Sequence, residues 1–344
     1  MKRLLIDFAH SLPKAELHLH LEGSLEPERM FMLAQRNQVT LPYSSTDELK
    51  AAYSFGNLQA FLDLYYQGMS VLITEQDFYD LTYDYLTRIH QDNVIHTEVF
   101  FDPQGHLERG IDFATQINGI YRALEDGQRH YGISFKLIMS FLRHLSEESA
   151  FETLELALPY LDKISGVGLD SSEKGHPPEK FARVFARAKA LGLKVTVHAG
   201  EEEPPEYVWQ ALNTVKTDRV DHGNRSLEDP KLIQHLAEHR YTLTVCPLSN
   251  LKLCVIGSMD EHPIIRMLDQ DLQATLNSDD PAYFGGYVND NFTAVINALP
   301  LTHAHILTLV KNSFTGSWMT DEEKDAALQR LEKKVDEWSH TRFD

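Results

Sequence analysis

The run Glu16-Leu17-His18-Leu19-His20-Leu21-Glu22-Gly23 carries two imidazoles two residues apart within an apolar stretch. On a β-strand, residues i and i+2 point the same way, so His18 and His20 present two nitrogen ligands to one side. Such a pair can begin a metal site; standing alone, it also fits two hydrogen-bonded core histidines. Val195-Thr196-Val197-His198-Ala199-Gly200-Glu201 ends a second apolar run in an imidazole and sets an acid three residues on. His198 is a candidate third nitrogen ligand. Glu201 is a candidate carboxyl held over the metal without binding it, although Glu201-Glu202-Glu203 alone reads as a solvated acidic run. Asp221-His222-Gly223 and Asn277-Ser278-Asp279-Asp280-Pro281 close two further runs with a His and a carboxylate pair. Each by itself reads as a salt-bridged surface residue or a turn. Their joint placement at four strand ends is what scattered core residues have no reason to adopt.

Eight short apolar runs are expected to be strands: residues 16–20, 94–101, 134–141, 164–169, 194–198, 219–222, 242–246 and 272–277. Amphipathic stretches separate them, as where Phe181, Val184, Phe185, Ala188 and Leu191 form one stripe at helical spacing. This alternation predicts parallel βα units, and eight of them predict a single-domain (β/α)8 TIM-type barrel over residues 1–344, with strand C-termini converging on one face. Pro204-Pro205 and Pro230 predict helix starts, because a first-turn proline lacks an N–H that would have no partner there. Thr320-Asp321-Glu322-Glu323 predicts a capping box opening a C-terminal scaffold helix. About seventy residues separate the first two strands, far beyond an ordinary βα loop. They carry helical patterns of their own, and the bulky stretch 58–66 is expected over the barrel mouth as pocket wall or lid.

Composition narrows the partners. With 32 basic and 51 acidic residues the formal charge is −19, so nucleic acid and anionic membranes are repelled and a small-molecule substrate is expected. Cys246 and Cys254 are the only cysteines, and the basic start is interrupted at Asp7 before a signal core can form. With no long apolar span either, a cytoplasmic location is expected. The oligomeric state is not encoded in any feature of this kind. His96-Thr97-Glu98 matches half of the cytidine-deaminase zinc signature, but its Pro-Cys-x-x-Cys partner is missing, which predicts inward- or helix-facing barrel residues instead. Nucleotide-cofactor and serine-nucleophile motifs are missing as well. His144 and His176 are expected to be structural.

Taken in order, His18-Leu19-His20, His198-Ala199-Gly200-Glu201, Asp221-His222-Gly223, Cys246-Pro247-Leu248-Ser249-Asn250 and Ser278-Asp279-Asp280-Pro281 resemble the adenosine and adenine deaminase family of the amidohydrolases. The resemblance spans almost the whole chain. Residues 166–173 and 279–287 are similar to the adenine deaminase branch. It implies that His18, His20, His198 and Asp279 ligate one Zn2+ per chain, with Glu201, His222 and Asp280 as the reacting groups. The fourth run ends in Leu169-Asp170-Ser171 rather than in the bridging lysine of two-metal amidohydrolases, which favours a single ion.

The chemistry so implied is hydrolysis of adenine to hypoxanthine and ammonia. Zinc would lower the pKa of a water to about 7 and furnish a hydroxide for attack on C6. Protonated Glu201 would donate to N1, Asp280 would bond the N7 side and manage the hydroxide proton, and His222 would orient the attacking oxygen. Choice between adenine and adenosine is expected beyond N9. There Glu173, after Ser171-Ser172, is a candidate for the N9/N3 edge, with Ser172 and Glu22 facing the same region. A cap on the helix beginning near Pro177 is the other reading of Glu173. Adenosine and N6-substituted adenines are the alternative substrates. A noncatalytic zinc-stabilised scaffold is the alternative of another class, but it would have no use for Glu201, His222 and Asp280.

Overall fold

The computed structural model describes residues 2–340. At its centre is a sheet of eight parallel strands paired in sequence order. They are β1 Lys14–His20, β2 Val94–Phe101, β3 Ser134–Leu142, β4 Gly166–Asp170, β5 Lys194–Ala199, β6 Arg219–His222, β7 Thr242–Val245 and β8 Gln273–Leu276. Each coincides with an expected run, its ends moved by two residues or fewer. Helices cover the outer face, so both faces of the strands are buried, as a parallel barrel requires. The stripe on helix Ala182–Ala190 behaves as its spacing demands: Phe181, Val184, Phe185 and Ala188 are all fully buried. Burying each of the larger ones is worth roughly 1.5–3 kcal/mol.

The barrel closes between β8 and β1 by an irregular seam. His20 N–H donates to Asp279 O at 3.0 Å and Asp279 N–H donates to His18 O at 3.1 Å. Below them side chains replace ladder bonds: Leu17 N–H donates to Asn277 Oδ1 at 2.8 Å and Ser278 N–H to Glu16 Oε1 at 3.0 Å. On its other edge β1 is bulged, because Glu16 pairs with Thr97 but Leu19 already pairs with Val99. One extra residue on β1 reverses its alternation. Glu16 therefore reaches outward to the Tyr85 hydroxyl of helix Glu75–Gln91 at 2.7 Å, while His18 and His20 both point inward.

The barrel interior beneath the histidines is charged but paired. Glu98 and Arg219 are fully buried and joined by a salt bridge, His96 Nε2 lies 3.1 Å from Glu98 Oε1, and the Arg219 guanidinium stacks on Trp318 at 4.6 Å. His96 and Glu98 are thus part of the barrel floor. Breaking such a buried pair costs several kcal/mol because one charge is left alone in a dry interior.

Between β1 and β2 lie the helices Pro27–Arg36, Thr46–Ala51, Leu58–Gly68 and Glu75–Gln91. Helix Asp321–His340 opens with the reciprocal bonds of a capping box, Thr320 N–H to Glu323 Oε2 at 2.7 Å and Glu323 N–H to Thr320 Oγ1 at 3.3 Å. Among the described residues no helix is long and apolar enough to cross a membrane. Cys246 is buried, Cys254 is exposed, and both are free thiols.

Candidate active site

Three imidazoles turn their Nε2 atoms toward one point at the C-terminal end of the barrel. Each is aimed by what its Nδ1 faces. His18 Nδ1 lies 2.9 Å from Thr244 Oγ1, whose hydroxyl donates to Asp221 Oδ1 at 2.9 Å. His198 Nδ1 lies 3.3 Å from Asp221 Oδ2, and His20 Nδ1 lies 3.4 Å from Asp170 Oδ2. An acceptor behind each ring fixes its orientation and leaves the far nitrogen free to bind. Phe100 packs beneath, with ring centroids 4.9 Å from His20 and 5.2 Å from His18.

At the focus, His20 Nε2 is 3.1 Å from His198 Nε2. Asp279 Oδ1 is 3.1 Å from His18 Nε2 and 3.3 Å from His20 Nε2. Tetrahedral coordination at metal–nitrogen distances near 2.0–2.1 Å separates neighbouring ligands by about 3.3 Å, so these spacings fit one small divalent ion. The donor set of three imidazoles and a carboxylate suits zinc, and His18 Nε2 is buried without a hydrogen-bond partner. All four expected ligands are brought together. His222 joins them, one of its nitrogens lying with those of His18, His198 and an Asp279 oxygen within 4.8 Å of one another.

The backbone is bent to make this possible. Asp279 has φ 63° and His222 φ 64°, a left-handed conformation uncommon for non-glycine residues. Gly23 serves the site by its missing side chain. A Cβ there would collide with the Asp280 carboxyl, so glycine lets Asp280 tuck against the end of β1.

Electrostatics separate the acids by role. Burial, helped by the Asp279 charge, pushes the Glu201 carboxyl well above the usual carboxylate range. The same two causes raise Asp280. Burial works against ionisation of Asp221 as well, but its contact with His198 and the charge of nearby Arg219 hold it well below the usual range. Burial pushes His222 well below the usual histidine value, leaving it neutral, and its Nε2 stands 3.6 Å from Glu201 Oε2. Acids whose protonated form is favoured and an imidazole whose neutral form is favoured therefore surround a cluster of metal-type ligands.

A cavity opens over this cluster. His20, His198, Glu201, His222, Asp279 and Asp280 form its floor. Leu58, Phe61, Leu62, Tyr65 and Tyr66, all from helix Leu58–Gly68, form a wall together with Leu253 and Phe284. The expected role of stretch 58–66 as a pocket wall is met, with Phe61 packed on Phe284 at 4.7 Å.

The far side of the cavity differs from the sequence expectation. Glu173 does not line it, and neither does it cap the helix near Pro177. Its carboxylate accepts backbone N–H bonds from Gly200 at 2.7 Å, Glu202 at 2.7 Å and Glu203 at 3.0 Å, so both oxygens are occupied by the turn that carries Glu201. Ser172 is half-buried outside the lining, and the neighbouring Ser171 takes its place. Glu22 is buried just behind the wall, where its Oε1 accepts from Asp102 N–H at 3.0 Å and lies 2.9 Å from His106 Nε2.

Asp102 and Asp170 are the acids that line that side, and sequence reasoning marks neither as a pocket residue. A signal for them exists. Phe101-Asp102 and Leu169-Asp170 stand at the ends of β2 and β4, the same position that points to His198 and His222.

Comparison with known proteins follows the same lines. The adenosine deaminase family model matches residues 13–334. An adenine deaminase of Marinomonas sp. (strain MWYL1) is 63% identical over 327 residues, covering 95% of this chain and 98% of its own. The crystal structure of adenine deaminase from Arthrobacter aurescens superposes with a TM-score of 0.93 at 45% identity, covering 94% of this chain and 99% of that one. An amidohydrolase from Burkholderia ambifaria with bound Zn superposes with a TM-score of 0.88 at 26% identity, over 97% and 94% of the two chains.

Proposed function

The chain belongs to the adenosine deaminase family, and from that membership and the site's geometry we propose that it is a zinc-dependent adenine deaminase, converting adenine and water to hypoxanthine and ammonia. The observation that carries the reading is the meeting of His18, His198, His222 and Asp279 ligand atoms within 4.8 Å, with His20 Nε2 3.1 Å from His198 Nε2 and 3.3 Å from Asp279 Oδ1, beneath a cavity whose floor also holds Glu201 and Asp280. The whole chain acts as one catalytic domain, and its free thiols and acidic charge suit the cytosol.

His18, His20, His198 and Asp279 hold one Zn2+ per chain, which supplies Lewis acidity and lowers the pKa of a water from that of the bulk to about 7. The protein's own groups do the rest. Glu201 carries a proton near neutral pH and donates it to N1, drawing electrons from C6 so that this carbon accepts a nucleophile. Neutral His222 orients the attacking oxygen by a hydrogen bond. Asp280, also protonated, donates a hydrogen bond to N7 and then relays, passing its own proton to the departing amine as it takes up the nucleophile's proton, so that it ends in the state in which it began. The aromatic wall excludes water, which strengthens each of these interactions.

The test combines metal analysis with a substrate panel. Purified protein is expected to contain close to one zinc per chain and to release ammonia from adenine in strong preference to adenosine and N6-alkyl adenines. Chelation should abolish turnover and zinc restore it. Preference for adenosine by orders of magnitude would overturn the substrate assignment, and full activity after exhaustive chelation would overturn the metal assignment.

A further inference from the structure

We propose that Asp102 accepts the N9–H of the purine and so makes the pocket selective for the free base over any N9-substituted purine. The proposal rests on the adenine-deaminating reading above and adds a specificity residue to it.

Strand order orients the ring. Around the barrel mouth the strand ends run β8, β1, β2, β3, β4, β5. With N7 against Asp280 after β8 and N1 against Glu201 after β5, the ring perimeter N7, C8, N9, C4, N3, C2, N1 follows that same arc. N9 then faces the end of β2, and N3 faces β3 and β4. The residue that directly follows β2 and lines the cavity is Asp102.

The contacts of Asp102 leave one group unanswered. Its backbone N–H is held by Glu22 Oε1 at 3.0 Å, and its Oδ2 accepts from the Tyr65 hydroxyl at 2.9 Å. Its Oδ1 is buried without a partner, on a residue only 2% exposed. A buried acceptor fixed on both sides and lacking a donor is suited to a ligand that brings one. The neighbouring Asp170, whose carboxyl meets that of Asp102 and lies with Oδ2 3.4 Å from His20 Nδ1, also keeps buried oxygens without a partner, but it ends β4, where the ring presents N3, an acceptor with no hydrogen to give. Ser171, at the N3 side, already shares its hydroxyl with Tyr66 at 2.8 Å and His144 at 2.9 Å.

Free adenine carries a hydrogen on N9. A nucleoside carries a glycosidic bond there and has nothing to donate, so it would leave Oδ1 desolvated and unpaired as well as crowding it. Sites built to hydrogen-bond a substrate group reject analogues lacking that group far more strongly than apolar pockets reject a missing methylene.

Zinc-loaded wild-type protein and the Asp102→Ala and Asp102→Asn variants are assayed with adenine and with 9-methyladenine. The wild type is expected to favour adenine by about a hundredfold or more in kcat/KM, mainly through KM, since N9 lies far from the reacting carbon. In Asp102→Ala, adenine should lose roughly ten- to a hundredfold while 9-methyladenine is unchanged or improved, so that the preference collapses. Asp102→Asn, which keeps the shape but weakens the acceptor, should give an intermediate preference. Wild-type protein that turns over both bases within a few-fold of each other would overturn the role of Asp102 and leave the adenine reading standing. So would an unchanged preference in both variants. Wild-type protein that retains zinc but deaminates neither base would overturn the adenine reading and this proposal with it.

Discussion

Glu173 braces the turn that presents Glu201. Its two carboxylate oxygens collect the N–H groups of Gly200, Glu202 and Glu203, the residues on both sides of the proposed proton donor. A fully satisfied buried carboxylate is a rigid support, and catalytic groups lose much of their effect when displaced by about 1 Å. Glu173→Gln replaces one acceptor by a donor facing a backbone N–H. We expect kcat to fall about ten- to a hundredfold with zinc content unchanged. A variant with wild-type kcat would reduce Glu173 to a purely structural residue.

Glu201 itself should be separable from the metal. Glu201→Gln is expected to keep zinc, as measured by elemental analysis, and to lose about 10²- to 10⁴-fold in kcat. The pH profile carries the sign. Burial holds the Glu201 carboxyl well above its ordinary range, so the active, protonated form persists at neutral pH and is lost as pH rises through that elevated value. Wild-type activity should fall on this alkaline limb, and the residual activity of the glutamine variant should not. An identical limb in both proteins would assign it to another group.

Asp221 orients two of the proposed ligands at once, His198 directly at 3.3 Å and His18 through the Thr244 hydroxyl. Asp221→Asn keeps the volume but removes the charge that fixes both rings. Zinc affinity, measured by competition with a chelator, should weaken about ten- to a hundredfold. Unaltered affinity would show that Thr244 and packing suffice to aim the two histidines.

Lys14 gives a pH-dependent stability unrelated to catalysis. Its ammonium is buried, donating to Leu12 O at 2.8 Å and Asp92 O at 2.7 Å, and burial lowers its pKa from 10.5 to about 7 despite the opposing charge of Asp92. Between those two values the unfolded chain binds a proton that the native chain does not. Unfolding free energy therefore climbs with pH across this window and gains nothing from Lys14 below it. Denaturant titrations at about pH 7 and about pH 9 should show a climb that Lys14→Met flattens. A parallel climb in the variant would trace it to other groups.

Much of the molecule is legible in the sequence because its governing rules are local. Alternating short apolar runs and 3.6-residue stripes specify parallel βα units. Residues two apart on a strand share a face whatever the rest of the chain does, so His18 with His20 reads as a pair. Position at a strand end likewise marks His198, His222 and the Asp279-Asp280 pair. Other features rest on contacts between distant segments. The bulge that turns Glu16 outward while keeping both histidines inward depends on the register against β2. Glu173 lies 27 residues before Gly200, and no local pattern indicates that its carboxylate serves that turn rather than the purine. Asp102 and Asp170 become pocket residues only when the ends of β2 and β4 meet under helix Leu58–Gly68. Covalent geometry decides which way a side chain leaves its strand; three-dimensional packing decides which donor its acceptor finds, and that is where the expectation for Glu173 and the folded protein part.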